Sequence, residues 1–182
     1  MKKTVLTFGL AAGLVLSATL LISMPLVLDK TLTFDNAEVF GYASMLLAFL
    51  LIFFGIRSYR ENNGGSITFG KAFQTGILIT LLASAAYVVT WQIYFFNWGQ
   101  DFTRQYTEHS LAKLKADGAS DAEIAAMAKE MADFSRMYRN PLFNSAITFL
   151  EVFPLGLVVT LVSAAILRKK PQEGAATAPA PA

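Results

Sequence analysis

Apolar residues run almost unbroken through four stretches, 5–28, 39–56, 72–96 and 142–167, and the polar residues crowd between them. A helix needs roughly 20 mostly apolar residues to cross the hydrocarbon core of a bilayer. Three stretches meet that length, the second is shorter, and all outrun an ordinary buried strand. The pattern predicts an all-α fold, an integral membrane four-helix bundle. The polar segment 97–141 is predicted to form an extracytoplasmic helical hairpin between the third and fourth spans. A membrane domain of 1–170 is thus expected, followed by an Ala/Pro-rich tail, 171–182, expected to be disordered.

The first stretch has a rival reading. Lys2-Lys3 followed by apolar residues also opens a secretory signal peptide, whose apolar region is about 7–15 residues long. Here the run passes Leu16-Ser17-Ala18 and continues through Leu20-Leu21-Ile22 to Met24-Pro25, a length that favours a retained helix. Basic residues in short connections set orientation. Lys2 and Lys3 precede the first span, Arg57, Arg60 and Lys71 lie between the second and third, and Arg168-Lys169-Lys170 follow the fourth. Lys30 in the first loop is opposed by Asp29, Asp35 and Glu38. Both termini and the second loop are therefore expected to face the cytoplasm. Trp91, Tyr94 and Trp98 close the third span at the outer interface, where amphipathic rings anchor.

Within 97–141, Ser120 and Glu123 have the spacing of a capping box, and Gly118 before them suits a helix stop. Ile124, Met127, Met131, Phe134 and Tyr138 recur at helical spacing, and Asn140-Pro141 ends the run. Phe102, Tyr106 and Leu114 permit a shorter helix upstream. This segment reads as a packed cap or as a partner-binding surface, with His109 as a surface residue. Asn62-Asn63-Gly64-Gly65 marks a turn. Gly70-Lys71 is followed by Ala72, so no Walker phosphate cradle is present. Small residues four apart recur in the spans: Gly9, Gly13 and Ser17; Gly76, Thr80 and Ser84; Gly156, Thr160 and Ala164. They are read as close helix packing rather than as a dimer motif.

Only 15% of the residues are charged, against about 25% in soluble domains, which points the same way as the hydropathy pattern. Cys is absent and His occurs once, so disulfides, thiolate chemistry and histidine metal sites are not expected. A net charge of +2 without a basic stripe argues against nucleic acid. No cofactor is implied, and no nucleophile–base pair suggests an enzyme.

The chemistry concentrates on one acid. Glu151 stands about 15 Å along the fourth span from Pro141, at 1.5 Å per residue, near mid-bilayer. A charged acid there costs a few kcal/mol, so it should be neutral, paired or both. Asn144, Thr148 and Glu151 share one stripe. Pro154 frees the carbonyl of Leu150 one turn later, and lipid cannot satisfy that group, so this side should face helices or water. Thr80, Ser84 and Tyr87 form a polar stripe on the third span at matching depth, so a protonated Glu151 hydrogen-bonded to Tyr87 or a nearby hydroxyl is expected. The candidate polar site is Glu151, Tyr87, Thr148, Asn144, Ser84 and Pro154. It reads either as a neutral clamp between helices or as a proton or ligand site beside a broken helix.

Two segments resemble a known family. One is Ile56-Arg57-Ser58-Tyr59-Arg60 leading through Gly64-Gly65 to Ile67-Thr68-Phe69-Gly70-Lys71-Ala72-Phe73. The other is Phe149-Leu150-Glu151-Val152-Phe153-Pro154-Leu155-Gly156-Leu157 with Thr160-Leu161. Together they resemble the bacterial membrane family catalogued as domain of unknown function 4199. The resemblance implies a small bacterial integral membrane protein, expected in the inner membrane, and no activity, cofactor or site. The leading functional expectation is a structural or interaction module that contacts lipid, copies of itself or other membrane proteins. The alternative is a small proton- or solute-linked carrier using Glu151.

Overall fold

The computed structural model describes residues 1–169, and these are helical almost throughout. The expected tail, 171–182, lies outside the described residues. In order the elements are α1 (Lys2–Leu28), α2 (Phe34–Glu61), α3 (Phe69–Asn97), a 3₁₀ turn (Gly99–Asp101), α4 (Phe102–Ala116), α5 (Asp121–Tyr138) and α6 (Pro141–Leu167). Four of them, α1, α2, α3 and α6, are long and apolar enough to cross a membrane.

Each long helix outruns its apolar stretch, and in α2, α3 and α6 a polar cap rather than hydropathy sets the start. The Thr33 hydroxyl accepts from the Asn36 amide and that of Thr68 from the Lys71 amide. The Asn140 side chain accepts from the amides of Leu142 and Phe143. Such caps are worth about 1 kcal/mol each. The second helix departs furthest from its expected 39–56, running from Phe34 to Glu61. Its last turn is polar and carries an Arg57–Glu61 ion pair at 2.8 Å, four residues apart.

The small-residue stripes meet one another. A Cβ added at Gly9 would lie 2.8 Å from the Leu82 side chain, and one at Gly13 would lie 2.7 Å from the Ala86 Cβ. One turn on, the Ser17 and Thr90 hydroxyls hydrogen-bond at 2.8 Å. Both ladders climb in fours in the same direction, so α1 and α3 run parallel. Against α6 the direction reverses. An added Cβ at Gly76 would meet the Thr160 methyl at 2.8 Å, and one at Gly156 would meet the Thr80 methyl at 2.5 Å. Gln92 bonds Asn144 further along. The hydroxyls of Thr80 and Thr160 share a hydrogen bond of 2.9 Å within this seam. Around it Phe49, Ile52, Ile56 and Ile79 are completely buried.

Near the ends of α3 and α6 the arrangement differs. No residue of α2 before Met45 is buried, so its first three turns stand away from the other long helices. There α4 and α5 lie across the gap, and α4 itself buries no residue. The Phe34 ring is held by the rings of Phe102, Tyr106 and His109, at 5.9, 5.6 and 5.2 Å. Gln105 donates to the Leu28 carbonyl at 3.2 Å, and Trp91 Nε1 donates to the Tyr138 hydroxyl at 2.9 Å.

The predicted capping box is formed: Ser120 Oγ accepts from the Glu123 amide, and the Glu123 carboxylate accepts from the Ser120 amide at 2.8 Å. These bonds, the backbone one foremost, hold the Glu123 carboxyl below its ordinary 4.5. A depressed pKa stabilises the folded helix above that ordinary value and ceases to do so as pH falls through the lowered one. Amides in the first turn of α5 should therefore exchange faster, relative to intrinsic rates, on acidification below about pH 4.5. Glu123→Gln, which cannot titrate, should remove this acid step.

Candidate functional site

Where α2 stands away, the helices enclose a cavity of about 610 Å³. Small-molecule sites span roughly 300–1,000 Å³. Its deepest lining residue on α1 is Leu16, on α2 Met45 and on α6 Glu151, and α3 contributes Tyr87 alone. Beyond these lies the completely buried layer of Phe49 and Ile52, which closes the other end. The roof comes from α4 and α5, including Tyr106, His109, Lys113, Phe134 and Tyr138.

The six predicted polar-site residues divide into separate groups. Glu151 is exposed in the cavity wall and makes no hydrogen bond among the described residues, and Tyr87 lines the same cavity. The expected Glu151–Tyr87 hydrogen bond is not formed. The pairs 76–160, 80–156 and 92–144 fix a register that puts Ala85, not Tyr87, opposite position 151.

Asn144 and Thr148 turn to the α3 seam instead and are buried. Asn144 Oδ1 accepts from Gln92 Nε2 at 2.8 Å, its Nδ2 donates to the Tyr138 carbonyl at 3.3 Å, and Thr148 Oγ1 donates to the Asn144 carbonyl at 2.9 Å. Ser84 is completely buried with its hydroxyl unpartnered. The helix stays unbroken through Pro154, held on the far side by buried Val152 and Gly156. Leu150 and Pro154 are exposed and do not line the cavity, contrary to the expectation that this side faces helices or water.

Asn144 is thus a clamp joining α3, α5 and α6. Asn144→Ala should lower stability by about 1–3 kcal/mol, because the Gln92 amide and the Tyr138 carbonyl each lose a buried partner. Adding Gln92→Leu should return part of that loss, since removing both partners costs less than orphaning one. Thermal melting in micelles measures both.

Sequence reasoning missed Glu38 and Tyr42, which line the cavity from α2. Glu38 falls outside 39–56 and so counts as a loop charge. The Thr33 cap extends α2 and places Asp35, Glu38 and Tyr42 on one stripe at i, i+3 and i+7. His109, read as a surface residue, is instead partly buried at the rim, with Nε2 3.6 Å from Asp35. Lys113 pairs with the same carboxylate at 3.0 Å, and this hydrogen bond raises the ammonium above its ordinary value. The described residues contain no group of His, Cys, Asp and Glu able to hold a metal ion.

The helices that build this cavity lie inside one recognisable unit. A family model described as Protein of unknown function (DUF4199) matches residues 7–169. The chain belongs to the DUF4199 family. The match runs from the first turns of α1 past the end of α6, so both the α3–α6 seam and the cavity fall within the DUF4199 region. No curated protein and no solved structure matches the chain.

Proposed function

We propose that this DUF4199 protein is a multi-pass membrane protein that takes a small amphipathic solute into the cavity, with Glu151 as the polar group at its deep end. One observation supports this above the others: a ligand-sized cavity under α4 and α5 reaches an acid that has no hydrogen-bond partner among the described residues. The four long helices act as a membrane-spanning bundle with the α4–α5 hairpin outside. The basic residues around both termini and the α2–α3 connection argue for placing those ends in the cytoplasm, in a bacterial inner membrane. In that setting the cavity opens outward and the packed layer at Phe49 closes the inward side, one of the two states a carrier alternates between. The interaction-module reading rests on the apolar stripe of the outer segment as a partner surface, and Met131, Phe134 and Tyr138 of that stripe line the cavity instead.

Proteoliposomes test the carrier function. Purified protein should let an accumulated amphipathic solute cross, and Glu151→Gln should slow that flux while leaving the melting temperature unchanged. Equal flux from wild type, Glu151→Gln and empty vesicles would remove the carrier reading.

A further inference from the structure

The cavity has an uneven charge inventory. Among the described residues that line it, Lys113 is the one Lys or Arg, and it sits at the rim in an ion pair with Asp35. Glu38 on α2 and Glu151 on α6 line the same space, and neither makes a hydrogen bond or ion pair among the described residues. Tyr42 and Tyr87 lie among the lining residues near the deep end, and Phe34, Phe102, Tyr106 and Phe134 line the cavity nearer the roof. Aromatic faces attract cations within about 6 Å of the ring centre, more strongly when water is excluded. Ionised, the two acids on the cavity wall also repel any anion that enters.

From these features we infer that the solute is an organic monocation with an apolar body, its charge held between Glu38 and Glu151 and its body against the aromatic wall. This rests on the reading of the cavity as a solute site and adds the chemical class of what enters it. The cavity itself is the site, and the two acids set the sign of the charge it accepts. Lys113, neutralised by Asp35, leaves the rim without net repulsion toward a cation.

Three probes of similar shape and different charge separate this inference from the broader one. Tetraphenylphosphonium, triphenylphosphine oxide and tetraphenylborate are each dialysed to equilibrium against detergent-purified protein, with empty micelles as the blank. Saturable binding of the phosphonium near one per chain is expected, with the borate at least roughly tenfold weaker. Glu151→Gln and Glu38→Gln should each weaken the phosphonium roughly tenfold, as loss of a charged partner does, with unchanged melting temperature. Borate or neutral oxide binding as tightly as the phosphonium would overturn the charge preference and leave the solute cavity standing. Phosphonium affinity that is indifferent to both Glu→Gln changes would also overturn it. Absence of saturable binding by all three would overturn both readings. The probe comparison uses the unaltered protein, so it decides the matter even if a variant misfolds.

Discussion

Gly156→Leu should be the most damaging single substitution in the long helices, lowering stability by about 3 kcal/mol or more. At Gly156 even a Cβ would lie 2.5 Å from the Thr80 methyl and 3.0 Å from the Phe49 ring. A leucine adds three further carbons to a space that already rejects the first. Nor can the neighbours retreat. Thr80 is tied to the Gly76 carbonyl at 3.0 Å and to Thr160 at 2.9 Å, and Phe49 is completely buried. Spreading α3 from α6 would break the Thr80–Thr160 bond as well as the close contact on which lipid-embedded helices depend. Denaturant titration in mixed micelles measures the loss. Thr80→Ala, which removes the nearest methyl, should recover part of it in the double variant. A Gly156→Leu protein as stable as wild type would mean the α3–α6 seam is looser than described.

Gly41→Trp should have the largest effect on solute binding and almost none on folding. Gly41 lines the cavity, yet a Cβ built on it meets nothing within 4 Å. It lies inside α2, where glycine is the least favourable residue apart from proline, by about 1 kcal/mol relative to alanine. Any side chain there should therefore favour the helix slightly. An indole from this position fills space between α2 and the roof that a solute would need. Phosphonium binding should fall about a hundredfold, or about 2.7 kcal/mol, while the melting temperature holds or rises. Unchanged affinity would place the bound probe elsewhere, on the lipid-facing surface.

The two glycines show what the sequence could and could not disclose. Gly156 stands four residues before Thr160, and its role in close packing follows from spacing alone. The partners of the stripes follow once the helix directions are known, because Gly9, Gly13 and Ser17 advance by the same step as Leu82, Ala86 and Thr90. Caps were legible too where they form local motifs, as at Ser120 and Glu123. Gly41 carries no such signal. Nothing in a run of apolar residues says that a helix stands away from its neighbours, because a gap is a property of several elements together. The Glu151 bond to Tyr87 is absent for that reason: spacing places both near one depth, but the register between α3 and α6, a property of the pair, sets Ala85 opposite position 151. Glu38 lies outside the apolar stretch, because hydropathy ends that stretch where the Thr33 cap extends the helix. Gln92 is legible in the sequence as the one amide side chain in the apolar third stretch beyond its first turn, and it is the partner of Asn144.

A cavity that admits water from the α4–α5 side as far as Glu151 underlies the whole account, and thiol labelling tests it directly. The chain contains no cysteine, so a single introduced one is the sole target. In intact cells, a membrane-impermeant, positively charged maleimide should modify Glu151→Cys. It should spare Val152→Cys, whose position is completely buried, and Leu150→Cys, which is exposed but outside the cavity. A Glu151→Cys protein that stays as unreactive as those two neighbours would contradict it.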